Sequence, residues 1–392
     1  MPTFVLFAAV LTAAINLRAG ISSVGPVLDD VLADYGAPAS LAGIITALPG
    51  AFFCIMGLGA VPLARKIGVT QTILAGAILT AVGTAIRPFS PTISLFIVCT
   101  VGVVAGIAVA NVLLPAWIKM YGGRHIVALT TIYSAILGLS GAVGPLSALI
   151  TQRWQSSLAM WTIPAVLQVV AWVFVGLNTK VDIPNAGAVA SESELSGSLW
   201  RSKTALALLL FFGLQSMNGY VQMGWLPAIL IDAGVADSVA ATALSIVGFV
   251  GVLGGLLMPT VIARSRTLTP WVIVFGGLSA GGYLALLVAP TAAPLLWASV
   301  LGVGGWCFPL ALALIPARTR SPLITAKLSG FVQPYGYIVA AVVPLLIGVA
   351  YEAFGSFRPI LMVLVVLGLL LGVVGIAASR NVYIDDELTA QR

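Results

Sequence analysis

The chain has 392 residues, of which 60% are hydrophobic and only 8% carry a formal charge. About a quarter of the residues in soluble globular proteins are charged, so this composition excludes a soluble protein and indicates a polytopic membrane protein. The formal net charge of +6 does not indicate nucleic-acid binding, because the basic residues are spread over short loops rather than gathered on one face.

Twelve segments are apolar over about 20 residues, the length that a helix needs to cross a bilayer. They cover residues 4–28, 40–63, 69–86, 92–115, 125–150, 158–177, 204–229, 238–262, 270–289, 294–316, 325–350 and 359–379. The three cysteines fall inside these segments and have neither metal-ligand nor disulfide spacing. The sequence therefore predicts an all-α integral membrane protein without a metal or a cofactor.

Arg18 lies near the middle of the first segment and is the one charged residue at mid-depth in a predicted span, because Lys327 falls at the cytoplasmic start of the eleventh. A guanidinium at bilayer depth costs between ~3 and ~15 kcal/mol, so it persists only beside water, a partner or a ligand. Its planar fork of donors matches small anions, which favours a role as an anion receptor. The alternative is a structural arginine that bonds to backbone carbonyls or extends toward the interface.

Three further polar residues of the first six spans are candidate substrate contacts. Asn16 lies about 200° round the first helix from Arg18, so we expect it to pack against another span. Asn111 lies near the cytoplasmic end of span four, and Tyr133 lies at mid-depth in span five. For each of them, an interhelical hydrogen bond worth about 0.6 kcal/mol is the alternative to substrate binding.

The polar segment from Asn178 to Lys203 separates six spans from six and predicts a linker. The predicted domains are an N-terminal six-helix bundle at 1–178, a cytoplasmic linker at 179–203, and a C-terminal six-helix bundle with a short cytoplasmic tail at 204–392. The halves also echo each other, with Gly25-Pro26-Val27-Leu28 matching Leu226-Pro227-Ala228-Ile229 and Pro145-Leu146 matching Pro344-Leu345. Such parallel repeats favour a two-bundle transporter with its site between the bundles.

Spans seven and eleven each present a polar face. The residues at helical spacing are Gln215, Asn218 and Gln222 in span seven and Ser329, Gln333 and Tyr337 in span eleven. Polar groups in hydrocarbon face the interior of a bundle, so both faces are expected to line the same cavity as Arg18. Trp306, at mid-depth in span ten, could stack on a flat substrate.

Glycines spaced four residues apart predict close helix contacts in several spans. Helix backbones approach each other where no side chain separates them. The pairs are Gly102/Gly106, Gly251/Gly255, Gly277/Gly281 and Gly368/Gly372.

The distribution of basic residues predicts the orientation of the chain. With an even number of spans both termini lie on one side, and a cytoplasmic N-terminus places fourteen of the 18 basic residues in cytoplasmic segments. Arg87, Arg153 and Arg358 then lie outside. The positive-inside rule therefore predicts a multi-pass protein of the cytoplasmic (inner) membrane with both termini in the cytoplasm.

The predicted spans supply no catalytic group. Membrane hydrolases need a dyad or a metal cluster at depth, whereas no Asp or Glu falls inside a span and the one histidine, His125, lies at the cytoplasmic mouth of span five. We therefore expect neither an enzyme nor a non-transporting sensor. Coupling stays open between facilitated diffusion, exchange, and proton co-transport in which the substrate or the solvent carries the proton.

The loop Pro62-Leu63-Ala64-Arg65-Lys66-Ile67-Gly68 resembles the loop 2–3 signature of the major facilitator superfamily, but Arg65 stands at the usual aspartate position. Further stretches resemble the cyanate permease and 2-nitroimidazole transporter family of that superfamily. They are Asn16-Leu17-Arg18, Ser23-Val24-Gly25-Pro26, Asn111-Val112-Leu113-Leu114-Pro115, Ile118-Lys119, Gly213-Leu214-Gln215-Ser216, Trp225-Leu226-Pro227, Phe308-Pro309-Leu310, Leu328-Ser329, Gln333, Gly336-Tyr337 and Pro344-Leu345. Gly304 stands where this resemblance predicts a glutamine, so the pocket is expected to differ from that of the namesakes.

The resemblance implies the major facilitator fold, with twelve transmembrane helices in two six-helix bundles, and secondary active or facilitative transport by alternating access. The implied substrate is a small cyanate-like anion or a small electronegative heteroaromatic of the nitroimidazole type. The alternative is a multidrug efflux carrier of the same fold for lipophilic aromatics, which would suit Trp306 but leaves Arg18 unexplained. We expect a monomer whose partners are the lipid bilayer and the substrate, with or without a co-transported proton.

Overall fold

All regular structure is helical in the part of the chain that the computed structural model describes, which is residues 2–38, 40–144, 147–151, 153–179, 182 and 197–390. The chain divides into two units by its internal contacts, Met1–Glu194 with Ser321–Pro334 and Leu195–Arg320 with Tyr335–Arg392. The linker predicted over 179–203 falls mostly on residues outside the described ones, as does the Pro145-Leu146 match in span five.

The helices of each unit follow the predicted spans closely. The first unit contains α1 Thr3–Ser22, α2 Leu28–Asp34, α3 Ser40–Ile67, α4 Val69–Ile86, α5 Ile93–Tyr121, α6 Ile126–Val143, α7 Ser147–Ile150, α8 Trp154–Ala159 and α9 Thr162–Asn178. The second contains α10 Lys203–Asp232, α11 Asp237–Arg264, α12 Thr269–Val288, α13 Pro294–Gly304, α14 Cys307–Ala317, α16 Arg358–Ala378 and α17 Ile384–Thr389. Helix α15, Pro322–Phe354, begins in the first unit and continues in the second.

Eleven segments of the described chain are long and apolar enough to cross a membrane, and each matches a predicted span. The remaining predicted span, 125–150, contains α6 and α7, and residues 145–146 between these helices lie outside the described part. Span ten is interrupted, because α13 ends at Gly304 and α14 begins at Cys307. The all-α prediction is confirmed.

The outer face of α16 shows how these helices meet lipid. Its residues at a spacing of three or four are between 54% and 63% exposed, and they are Met362, Val363, Val366, Leu369 and Val373. Water would make an exposed apolar stripe of this length unfavourable, whereas hydrocarbon does not. The stripe therefore marks the lipid-facing side of the second unit.

Helix α4 begins at a carboxylate supplied from far along the chain. Gly68 precedes the helix with a φ of 95°, which glycine adopts without strain, and a β-carbon there would lie 2.7 Å from Asp182 Oδ1. Asp182 accepts hydrogen bonds from the Thr70 backbone N–H at 3.1 Å and from its hydroxyl at 2.5 Å. These bonds satisfy a free N–H at the positive end of the helix dipole. The loop 2–3 signature has Arg65 at its usual aspartate position. The structure nevertheless places a carboxylate next to this loop, because Asp182 bonds to Thr70.

Helices α12 and α16 touch backbone to backbone at glycines. A β-carbon on Gly276 would lie 2.5 Å from Gly372 Cα, and one on Gly368 would lie 2.7 Å from Ala280 N. The close contact predicted for Gly368 and Gly372 is thereby confirmed.

The contact predicted for Gly277 and Gly281 was wrong. Nothing lies within 4 Å of the β-carbon position at either residue. Successive residues of a helix point about 100° apart, so the glycine that faces α16 is Gly276, one position earlier. Small residues four apart do contact α16, but they are Gly276 and Ala280. Which face of α12 packs against α16 depends on the rotation of α12 about its axis.

These two adjacent glycines provide a matched pair for a stability test. We expect Gly276→Ala to lower the free energy of unfolding by about 2 kcal/mol, because a new methyl group against backbone atoms forces the two helices apart. Gly277→Ala is expected to be neutral or to stabilise by about 0.5 kcal/mol, because its β-carbon meets open space and alanine favours the helix. Unfolding of the purified protein in detergent, followed by tryptophan fluorescence, measures both; equal losses would contradict this packing.

Candidate functional site

Arg18 lies near the end of α1, which packs against α6. The side chain is half-buried, and a β-carbon on Gly141 of α6 would lie 3.6 Å from Arg18 Cβ and 3.8 Å from its Cγ. The glycine therefore leaves room for the aliphatic stem of the arginine between the two helices. Tyr133, which is 2% exposed, lies on the same helix α6. The structure thus places these two candidates on a pair of helices that contact each other.

Asn16 points to a different neighbour. Its Nδ2 donates to Thr12 O at 2.8 Å and to Pro164 O of α9 at 2.9 Å, and the side chain is 4% exposed. One donor of the amide is therefore used within α1, and the other joins α1 to α9. The structure does not bring Asn16 to the side of α1 that carries Arg18.

Arg87 is a buried arginine that the sequence places in an external loop. It is 0% exposed, and its Nη1 and Nη2 both donate to Gly20 O at 3.1 Å. Gly20 lies in the last turn of α1, so the guanidinium offsets the negative end of the helix dipole. Arg87 therefore belongs to the end of the apolar segment Val69–Phe89 rather than to an exposed loop. Its position directly after an apolar segment was the sequence feature that could have indicated a buried arginine.

Asn111 and Gln333 meet at a proline in α5. Pro115 has no N–H, so Asn111 O lacks its intrahelical donor, and Gln333 Nε2 donates to it at 3.2 Å. The same Nε2 donates to Ser329 Oγ at 2.8 Å. Asn111 Nδ2 is buried without a hydrogen-bond partner in the described part of the chain. Two predicted contacts are therefore brought together, and one amide keeps a donor that a ligand could use.

Asn218 is the centre of a buried polar network in the second unit. Its Oδ1 accepts hydrogen bonds from Gln222 Nε2 at 3.1 Å and from the Tyr283 hydroxyl. Its Nδ2 donates to Gln215 Oε1 and to Ser279 Oγ, both at 3.5 Å. None of the five side chains is more than 3% exposed. The polar face predicted for span seven is therefore one connected cluster directed at α12. The sequence analysis missed the partners on α12, Ser279 and Tyr283, although their spacing of four residues could have identified them as one polar face.

Gln215 also forms a hydrogen bond to a backbone carbonyl at the interruption of span ten. Its Nε2 donates to Gly305 O at 3.2 Å, and this oxygen accepts a further bond from Phe308 N at 2.9 Å. Pro309, four residues after the glycine, has no N–H to continue the helical pattern. In both units, a glutamine thus bonds a carbonyl that has no donor four residues later.

Gly304 and Trp306 lie at the same interruption. A β-carbon on Gly304 would overlap Ser279 Oγ, so the glutamine expected at this position has no space. Trp306 is half-buried, its Nε1 donates to Val250 O at 2.8 Å, and its ring covers Gly254. The indole is therefore anchored to α11 by its polar atom, and its ring lies edge-on to Phe275 with 5.8 Å between ring centroids.

Tyr337 is separated from the other polar residues of its helix. It is 4% exposed and lies edge-on to Phe212, with 5.2 Å between ring centroids. Gln333 and Ser329 group with the first unit, whereas Tyr337 groups with the second. The polar face predicted for span eleven is therefore divided between two sets of neighbours.

Comparisons of sequence identify relatives over nearly the whole chain. Residues 10–321 match the model of the family described as Major Facilitator Superfamily. The chain is 31% identical to the 2-nitroimidazole transporter of Escherichia coli (strain K12) over 384 residues, 96% of each chain. It is 28% identical to the cyanate transport protein CynX of the same organism over 352 residues, 88% of this chain and 89% of the relative.

A comparison of structure gives the same fold. The crystal structure of FucP, a Major Facilitator Superfamily transporter in the outward conformation, aligns with a TM-score of 0.72 over 95% of this chain and 98% of that one. The two sequences are only 15% identical. The similarity therefore establishes the arrangement of helices and carries no information about the substrate.

Proposed function

Because this chain belongs to the Major Facilitator Superfamily and is a multi-pass secondary transporter rather than an enzyme, we propose that it moves a small anion or a small electronegative heteroaromatic across the membrane. Cyanate-like and nitroimidazole-like compounds are the proposed classes. Both appear in the names of the relatives that match most of its length. Each compound class presents a compact electron-rich group that a guanidinium can bind.

Arg18 is the observation that carries this proposal. It is a half-buried guanidinium on a helix of the membrane domain, with its stem held between α1 and α6 beside Gly141. A cation at this depth costs at least ~3 kcal/mol, which binding of an anion would offset. Arg87 is fully buried, and both of its terminal nitrogens donate to Gly20 O in the last turn of α1. We assign Arg18 to the substrate and Arg87 to the support of α1.

The other candidates are proposed in two roles. Asn111 keeps a buried donor and is proposed to contact the substrate, and the exposed part of the half-buried Trp306 ring is proposed to stack on it. The side chains that already form hydrogen bonds within the protein are proposed to hold the helices in position around the site. They are Asn16, Gln215, Asn218, Gln222 and Gln333, with Tyr133 and Tyr337 as buried aromatic neighbours.

The orientation and the coupling are also proposals. We propose a monomer in the cytoplasmic membrane. The excess of basic residues on one side favours an orientation with both termini in the cytoplasm. We propose that the substrate moves by alternating access. None of the spans predicted from the sequence contains an Asp or Glu that could serve as a proton site, so we propose that any co-transported proton is carried by the substrate or the solvent.

Thermal stabilisation by small compounds tests the substrate class. We expect cyanate, nitrate or 2-nitroimidazole to stabilise the purified protein by about 2.7 kcal/mol at a hundredfold excess over the dissociation constant. Arg18→Ala should remove this stabilisation. The measurement is the unfolding midpoint of both proteins across the panel, with a lipophilic cation such as tetraphenylphosphonium as the comparison compound.

Two outcomes would count against the proposal. Stabilisation by the lipophilic cation alone, equal in wild type and Arg18→Ala, would favour a multidrug efflux carrier and a structural role for Arg18. Stabilisation by the small anions that persists in Arg18→Ala would keep the substrate class but remove Arg18 as its receptor.

A further inference from the structure

A cavity of about 420 Å³ opens in the second unit, at the side that the proposed orientation makes cytoplasmic. It lies where the loop between α11 and α12 meets the ends of α14 and α16. Arg266, Arg318 and Arg380 line it together with the hydroxyls of Ser265 and Thr267. Its described lining contains no carboxylate. The cavity is large enough for a small ligand and carries three positive charges.

Arg318 is built into the wall of this cavity. It is 7% exposed, its Nη1 donates to Asn381 Oδ1 at 2.9 Å, and its Nη2 donates to Ser379 O at 2.9 Å. Its Nε is buried and has no hydrogen-bond partner in the described part of the chain. Burial lowers the pKa of Arg318, so an anion bound nearby would relieve the cost of its charge.

The start of helix α12 adds further donors. The helix begins at Thr269, and the described chain offers no acceptor to the backbone N–H groups of Thr267 and Leu268. The positive end of the dipole of this 20-residue helix therefore lies at the cavity. Thr269 Oγ1 lies 3.3 Å from Ser379 Oγ, which places a pair of hydroxyls beside these N–H groups.

The three arginines exceed what the helix ends alone require. Helices α11, α14 and α16 all end at this cavity, and a cation offsets the negative end of each. Arg318 already bonds the carbonyl after α16. Arg266 and Arg380 are exposed, and neither has an ion pair within the described residues. Two positive charges therefore face the cavity without a protein anion.

We propose that this cavity binds a phosphate group, carried by an anionic phospholipid headgroup or present as free phosphate. Arginine forks and backbone N–H groups at a helix start together match the several oxygens of a phosphate better than a single-atom anion. Basic pockets between membrane helices on the cytoplasmic side suit phospholipid headgroups. The site is independent of Arg18, which lies in the other unit.

Binding to the purified full-length protein in neutral detergent tests this site. The probes are sodium phosphate, dioctanoyl phosphatidylglycerol, and dioctanoylglycerol, which has the same acyl chains and no phosphate. The cavity variant is Arg266→Gln/Arg380→Gln, and the control is Arg65→Gln/Lys66→Gln, which removes two exposed charges from the other unit. We expect the apparent Kd for phosphatidylglycerol, from titration of the unfolding midpoint, to rise roughly 30-fold in the cavity variant only.

The probes distinguish the two sources of phosphate. Binding of sodium phosphate alone, weakened in the same variant, identifies free phosphate as the ligand. Binding of phosphatidylglycerol without sodium phosphate identifies the lipid headgroup. Equal weakening by the cavity and control variants, equal stabilisation by dioctanoylglycerol, or failure of both phosphate probes to bind would overturn the proposal.

Discussion

Arg18→Lys is expected to reduce initial uptake of the substrate by about 10- to 100-fold. Lysine keeps the positive charge but loses the planar fork, so it would lose one of the two charge-assisted hydrogen bonds that we propose Arg18 makes to the anion. A bond of this kind contributes about 1.5–3 kcal/mol. Uptake of labelled cyanate or 2-nitroimidazole into proteoliposomes measures the effect, and the stability of the protein should change by less than about 1 kcal/mol.

Arginine-to-lysine changes at two other positions distinguish substrate binding by Arg18 from a role in stability. Arg65→Lys changes an exposed arginine and should leave both uptake and stability unchanged. Arg87→Lys should lower stability, because a single ammonium replaces the two nitrogens that Arg87 directs at Gly20 O. Uptake by Arg18→Lys within twofold of wild type would show that Arg18 does not coordinate the substrate directly.

Asn218→Leu is expected to lower the free energy of unfolding by about 3 kcal/mol. The leucine fills similar volume, but it leaves the Tyr283 hydroxyl, Gln222 Nε2 and Ser279 Oγ without the partner that they share. Each buried polar group left unsatisfied costs about 1–3 kcal/mol, and relaxation among the remaining groups recovers part of the total. Unfolding in detergent with increasing denaturant gives the difference.

Tyr283→Phe is the control for this network. It removes one donor to Asn218 Oδ1 and leaves the bond from Gln222 in place, so we expect a loss of about 1 kcal/mol. The double variant Asn218→Leu/Tyr283→Phe should be little worse than Asn218→Leu alone, because both changes affect one bond. If Asn218→Leu costs no more than Tyr283→Phe, Asn218 is not the centre of the network.

The spacing of polar residues predicted which side chains share a face but not what each one meets. Gln215, Asn218 and Gln222 are one cluster, as their spacing indicates. The sequence did not indicate that the cluster bonds to α12 and to the carbonyl of Gly305. Gln333 and Tyr337 also share a face, yet they group with different units. Periodicity fixes direction round one helix, whereas the partner depends on the neighbouring helix.

The glycines and arginines show the same division. The pairs with a spacing of four predicted close contact, but at α12 the contact is made by Gly276 and not by Gly277. Arg87 follows an apolar segment and was predicted to lie in an external loop, but it is fully buried against α1. In the first case the rotation of a helix about its axis sets the environment of the side chain, and in the second case the packing of a helix end against α1 sets it. Neither changes the hydropathy of the segment.

The sequence by itself determined the membrane class, the position of eleven spans and the family, because the transfer of about 20 apolar residues into lipid is a local property of each segment. Only the tertiary structure decided which polar groups are already hydrogen-bonded. It also decided that Asp182 bonds to Thr70 and Arg87 to Gly20, and that three arginines from distant loops line one cavity. Those contacts join residues tens to hundreds of positions apart, and they exist only after the helices have packed in one rotation and one register.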